Sequence, residues 1–338
     1  MYYNINKYLR NDFGVVKTQF VEQNKLMFER VDTSDIKFDG KSVVILCGND
    51  TRSQSRGEFY AYLCNNWLGD AFYKPDLTMY SIYYPNKQPL FNEDSHFSLD
   101  YETLAKTIFK QAVVKDNKIQ SAEEIKKNLS NVVFFGHSAG GFVMNELMNS
   151  FGKMLTDLHF SKSDIKNIYS GIVFMAYAPY SLVNAPIKSI YVAPIHDSIG
   201  SSKLVYKKLL NSKSIFSSAP SIDIWGENRL TSRTYPNFLR HYEKAMNGKQ
   251  TVYYASDDSL IATPNLLYFD GKKEDHNFAG AVIYPAHNPH QTDAGRNTAQ
   301  FLGKALNYCL TTPREKFNTL DLYEKTVGPK PTNYELHK

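Results

Sequence analysis

The sequence predicts an α/β fold: a mostly parallel central sheet flanked by helices, with a cap inserted ahead of its last strands. Three observations carry this. Short, continuous apolar runs recur, among them SVVILCG at 42–48 and NVVFF at 131–135, the pattern of strands buried on both faces of a parallel sheet. Between such runs lie segments whose apolar residues recur at helical spacing. From 180 to about 248 the alternation lapses, and beyond that it returns. Strands alternating with helices argue for right-handed crossovers and helices on both faces.

Each element follows in order. Residues 19–31 (QFVEQNKLMFERV) read as a leading strand or hairpin. The run 42–48 is the first buried strand. Within 57–68, Phe59, Tyr60, Leu63, Cys64 and Trp67 form an apolar stripe that predicts a helix. Residues 77–84 (LTMYSIYY) are a strand, which Pro85 ends. Over 101–113, Leu104, Ile108, Phe109 and Ala112 share one helical face. Ser121 and Glu124 have the spacing of a capping box, opening a short helix through Leu129. The run 131–135 is a third strand, 142–151 a helix, and 168–177 (IYSGIVFMAY) a fourth strand punctuated by Pro179. Residues 180–248 hold Pro, Ser and Asn clusters and one helix-like run at 203–210, and are assigned to the cap. Strands return at 251–256 (TVYYAS) and 281–285 (AVIYP). The last helix, 298–309, carries Leu302, Ala305, Leu306 and Cys309 on one face. One domain thus spans 1–312. The polar stretch 313–338, with Pro313, Pro329 and Pro331, reads as a loosely attached C-terminal extension.

Composition excludes several classes. With 42% hydrophobic and 22% charged residues in 338, the chain is not disordered or of low complexity. A net charge of +5, with Lys and Arg scattered among acids, lacks the clustered basic stripe of a nucleic-acid binder. No run approaches the ~18 apolar residues of a transmembrane helix. The opening MYYNINKYLRNDFGVV has no apolar core of a cleaved signal peptide. Cys47, Cys64 and Cys309 are few and odd in number, and sit on apolar stretches. They are expected as buried free thiols, and the chain as cytoplasmic or exported without a cleaved signal. The 24 Tyr and 21 Phe predict an aromatic core, or an aromatic-lined apolar pocket. No metal-ligand spacing and no phosphate-binding glycine motif occurs, so neither metal nor cofactor is expected.

The sharpest signal is Gly136-His137-Ser138-Ala139-Gly140, directly after the strand NVVFF and directly before a helix. A turn this tight leaves side chains at 136 and 140 colliding with neighbouring backbone, hence glycine. The same turn lifts Ser138 above the sheet edge with its hydroxyl free to attack. The N-terminus of the following helix turns backbone N–H groups toward a developing oxyanion. His137 is expected to pack beside the turn.

In this motif, and in the order of elements over roughly 42–309, the chain resembles the lipase and esterase branch of the α/β-hydrolase superfamily, where GHSAGG is a common form of the nucleophile elbow. The resemblance implies an eight-stranded, mostly parallel sheet and a Ser-Asp/Glu-His triad in that chain order. It also implies a cap after the strand that follows the nucleophile helix, where 180–248 falls. A second oxyanion donor is implied in the loop after SVVILCG. There Gly48 permits a sharp turn, and the backbone N–H of Asn49 is paired with that of Ala139; the His-Gly lead-in of many lipases is absent. Arg52 and Arg56 follow, as solvated loop charges or as contacts to an anionic headgroup or acyl carrier. The acid is expected past a late strand. Asp258 opens the Asp-x-x-hydrophobic turn that ends at Ile261; Asp197, after SIYVAPIH, and the adjacent Asp257 are its rivals. The base is expected between the last strand and the last helix, as His287 after AVIYPA, with His290 and His276 as alternatives.

These readings lead to a serine hydrolase that cleaves carboxylic esters (lipase, phospholipase or esterase) through an acyl-enzyme, its cap lying over Ser138 outside the central sheet. A small-molecule or lipid ester is the expected substrate, and transient contact with a membrane surface is compatible with it. The alternatives are a thioesterase or acyltransferase on the same fold, or a non-catalytic α/β-hydrolase scaffold that binds a ligand or partner. An intact elbow argues against the scaffold.

Overall fold

A computed structural model describes residues 13–22, 25–31, 36–47, 57–58, 60–61, 64–65, 76–83, 100–137, 139–177, 183, 185–194, 252–255, 261–262, 266–269, 293–317 and 334–337. The chain opens with a hairpin, β1 (Gly14–Glu22) and β2 (Lys25–Val31), and enters the sheet proper at β3 (Ser42–Leu46). Helical residues at 57–58, 60–61 and 64–65 lead to β4 (Thr78–Tyr83). Then come α1 (Tyr101–Val113), a small hairpin of β5 (Val114–Lys115) and β6 (Lys118–Ile119), α2 (Ala122–Leu129) and β7 (Val132–His137). They are followed by α3 (Ala139–Asp157), α4 (Lys162–Tyr169), β8 (Val173–Tyr177) and β9 (Lys188–Pro194). The late elements are β10 (Val252–Ala255), β11 (Ile261–Ala262), β12 (Leu266–Phe269), α5 (Asp293–Thr311), a 3₁₀ turn (Arg314–Lys316) and β13 (Tyr334–His337).

Eleven of the described strands form one mixed sheet in the order β13-β10-β11-β12-β9-β8-β7-β3-β4-β1-β2. The run from β12 to β4 is parallel throughout, and antiparallel strands extend it on both sides. β3, β7 and β8 are buried along their whole length, which is why they read as unbroken apolar runs. Side chains three apart on a strand face opposite ways. Phe134 packs on Phe109 of α1, ring centroids 5.8 Å apart, whereas His137 packs on Tyr60 of the helical stretch after β3. Helices therefore cover both faces.

The aromatic residues fill the core. Phe134, Phe109, Phe151 and Tyr169 form a column through β7, α1, α3 and α4, with Phe109 and Phe151 stacked at 3.8 Å and Phe151 and Tyr169 at 5.8 Å. All four are fully buried. Burying each such ring contributes on the order of 1.5–3 kcal/mol. Local signals set the helix starts. Ser121 and Glu124 form the expected capping box, and Asp100 caps α1 by accepting from the Thr103 amide.

Three expectations are corrected. The run 168–177 is not one strand. Its first two residues end α4, which starts from a second capping box, Ser161 with Asp164. The buried residues Ile168 and Tyr169 of α4 lie so close to β8 in sequence that helix and strand merge into one apolar run. Second, 188–194 belongs to the sheet as β9, parallel to β8 and β12, and not to an insertion beginning at 180. The connection from Tyr177 to Lys188 is shorter than the dozen or so residues of a helical crossover, so the alternation is broken in sequence although the sheet continues in space. The rest of the expected cap, 195–248, lies outside the described residues, as does the strand expected at 281–285. Third, the segment after 313 is not loosely attached where it is described. Arg314 is buried, and β13 pairs with β10.

Candidate active site at a strand–helix turn

β7 ends at His137 and α3 begins at Ala139, so position 138 alone joins strand to helix. The glycines on either side are sterically required. A Cβ at Gly136 would come within 2.8 Å of the Phe174 ring and 3.1 Å of the Gly140 carbonyl carbon. A Cβ at Gly140 would lie 2.2 Å from the backbone oxygen of Leu46 in β3. At 140 the obstacle is backbone, as the motif suggests; at 136 it is first an aromatic ring.

This turn stands where the sheet reverses its order. From β3 the chain crosses to β4 on one side, and from β7 it crosses to β8 on the other. The C-terminal ends of parallel strands at such a switch point border a crevice where ligands bind. Leu46 of β3 is in register with Gly136 of β7, and His137 with Tyr177 of β8, so the three strands end together. α3 starts at the same edge, and its first turn carries no acidic side chain. The positive end of its dipole is thus not offset by a carboxylate of its own first turn, an electrostatic setting suited to an anion.

Beneath the turn lies a buried polar pair. His137 is 6% exposed, and its Nδ1 stands 2.7 Å from the Tyr60 hydroxyl. Its ring also stacks on Tyr177, centroids 6.0 Å apart. His137 therefore packs beside the turn, as expected. Its partner Tyr60 lies on the expected helical stripe, but nothing in a stripe tells which of its residues meets a strand 77 positions away. Cys47, directly after β3, and Cys64 are free and buried, as is Cys309. Burial, and then the neighbouring Cys64, pushes the Cys47 thiol well up; burial does the same to Cys64. Protonated thiols are poor nucleophiles.

The far edge of the sheet fixes the direction of α5, which packs on β7 and β8. Arg314, just past its end, donates Nε to the Gly171 carbonyl (3.2 Å), Nη1 to that of Cys309 (2.8 Å) and Nη2 to that of Val132 (3.0 Å). Val132 opens β7 and Gly171 precedes β8, so α5 ends at the N-terminal edge of the sheet. Nineteen residues of helix span about 28 Å. The start of α5 therefore lies toward the edge where β7 meets α3. Its buried Leu302, Ala305, Leu306 and Cys309 are the stripe read from the sequence.

Of the expected site residues, Ala139 is the first residue of α3. Ser138, Asn49, Asp258 and His287 lie outside the described residues, as do Asp197, Asp257, His276, His290, Arg52 and Arg56. Among the described residues no cluster of His, Cys, Asp or Glu is arranged to hold a metal ion, and no helix is long and apolar enough to cross a membrane. No protein-family model matches the chain, and neither does any curated protein.

Proposed function

We propose that the chain is a serine hydrolase of carboxylic esters with α/β-hydrolase architecture, and that Ser138 is its nucleophile. The observation that carries this reading is the turn between β7 and α3. One residue joins the two elements at the switch point of a parallel sheet, and glycines with no room for a Cβ flank it. A serine held at such a turn suits nucleophilic attack, and amides at the start of α3 suit an oxyanion. The backbone N–H groups of Ala139 and Asn49 are the proposed donors.

Sheet order bears on the acid. Asp197 follows the C-terminal end of β9, two strands from β7. Asp257 and Asp258 follow that of β10, which runs in the same sense but five strands from β7. At about 4.8 Å per strand these separations are about 10 Å and about 24 Å. A carboxylate–imidazole–hydroxyl relay joined by hydrogen bonds of about 2.6–3.2 Å spans only about 8 Å between its outer oxygens. The spacing favours Asp197. His287 and His290 precede α5, whose start lies toward the same edge, and His287 is the proposed base.

In this scheme His287 takes the Ser138 hydroxyl proton as Oγ attacks the ester carbonyl. The tetrahedral oxyanion is held by the two amides. The imidazolium, steadied by Asp197, returns the proton to the departing alcohol, leaving an acyl-serine. Water then repeats the cycle and releases the acid. A fluorophosphonate probe should label the protein at Ser138. Ser138→Ala should lower hydrolysis of nitrophenyl esters by about 10³-fold or more. Asp197→Asn should lower it by about 100-fold or more, and Asp258→Asn by less than about threefold. Residual activity of Ser138→Ala within about tenfold of the parent would overturn the nucleophile assignment. The reverse ranking of the two Asp variants would return the acid to Asp258.

A further inference from the structure

We infer that the outer edge of β2 is a self-association surface, to which a second copy of this chain adds its own β2 antiparallel across a two-fold axis at Met27. β2 is the last strand of the sheet, and no described strand pairs with its outer side. Alternate residues of such a strand turn N–H and C=O groups outward, as a template for another strand. Met27 and Phe28 are adjacent and so lie on opposite faces of the sheet, yet they are 46% and 37% exposed. Both faces of the edge are open at this point. Among the described residues, only Ile119 is a further large apolar side chain so exposed. The strand also lacks two usual guards of a free edge. It contains no proline, and the irregular register of the hairpin falls at Phe20/Glu22 beside the turn, which leaves 26–31 regularly paired with β1.

The charged positions of β2 select what the edge accepts. An antiparallel pair of identical strands is symmetric about a residue that lies opposite itself. With Met27 on the axis, position 25 of each copy meets position 29 of the other, so lysine stands opposite glutamate twice. The same register sets Leu26 opposite Phe28 on the other face, also twice, so apolar residues meet apolar ones. Moving the axis destroys this match. At Leu26 it pairs Lys25 with Met27. At Phe28 it pairs Met27 with Glu29, and Leu26 with Arg30. At Glu29 it sets two carboxylates opposite each other, which is unfavourable. Of these registers, the one centred on Met27 alone satisfies both charge and hydropathy, and a second β2 supplies it. A seven-residue strand pair is smaller than a standard stable interface of about 1,600 Å². The dimer should therefore form at tens of micromolar protein, not at nanomolar concentrations.

Sedimentation velocity of the whole chain between about 1 and 300 μM should show the mean mass rising from one chain toward two. Lys25→Glu and Glu29→Lys each set like charges opposite at both places, and each should weaken dimerisation by about tenfold or more. Mixed one to one, the two variants regain both opposite-charge pairs and should form a heterodimer within about threefold of the parent affinity. That recovery also shows that both variants are folded. Met27→Lys, with like charges on the axis itself, should stay monomeric. A parent that stays monomeric over the whole range overturns the inference, whether or not another protein's strand binds the edge. A mass that climbs past two chains means that a different edge, such as β13, meets β2, and overturns it too. So does a mixture that stays monomeric, or single variants that dimerise as the parent does.

Discussion

A single methyl group at position 140 separates intrinsic helix preference from packing. In an open helix Gly→Ala gains about 1 kcal/mol. At Gly140 the new Cβ would lie 2.2 Å from the Leu46 oxygen, which belongs to a fully buried strand and has little room to retreat. Gly140→Ala should therefore destabilise the protein, by about 3 kcal/mol, as a lowered urea midpoint. A neutral or stabilising result would mean that β3 and α3 can separate. The glycine requirement was legible in GHSAGG because it is local: it follows from a strand, one residue and a helix. The bond from Tyr60 to His137 was not legible, since it joins segments that only the finished sheet brings together.

At the level of elements, caps decide where helices begin. The Asp100 carboxylate accepts from the Thr103 amide at 2.9 Å and from its hydroxyl at 2.6 Å. These bonds, the hydroxyl's first, hold the Asp100 carboxyl below its ordinary range. A depressed folded-state value means that the stabilisation is present above the ordinary carboxylate range and is lost as pH falls through the folded value. Asp100→Ala should cost about 1 kcal/mol near neutral pH. The gap in urea stability between parent and variant should narrow once the solution is acid enough to protonate Asp100. A gap that stays constant into acid would mean that the loss is steric. Other boundaries misled for physical reasons. The end of α4 and the start of β8 share one apolar run, and the link before β9 is too short in sequence to suggest a helical crossover. The four-residue β12 and two-residue β11 are too short for their apolar pattern to stand out.

For the whole molecule, Arg314 closes the fold. Its guanidinium joins three carbonyls, one at the end of α5 and two at the N-terminal edge of the sheet. Burial lowers its pKa from the usual arginine value. Even so, a group that binds this strongly to water is retained there, because a helix C-terminus favours a cation. Lys188 of β9 also donates to the Arg314 carbonyl, so the residue anchors three elements. Arg314→Met keeps the apolar length but strands three acceptors, and should cost about 3 kcal/mol in urea unfolding. Arg314→Lys should recover little, since a single ammonium cannot fork across the same three oxygens. A loss below about 0.5 kcal/mol in Arg314→Met would restore the view of a dispensable tail. The parallel core was legible because burial on both faces leaves a continuous apolar signature. The anchoring arginine was hidden in a polar stretch whose composition resembles that of any surface tail.

The position of β1 has a consequence for synthesis. It pairs with β2 at once, yet its other neighbour, β4, is completed only at Tyr83. At about 5–20 residues per second, translation leaves that edge of the hairpin open for about 3–12 s. An open edge of this kind is a template for strand pairing with other nascent chains on the same messenger. The edge closes only when β4 emerges, so a chain halted before Tyr83 keeps that edge of β1 unpaired.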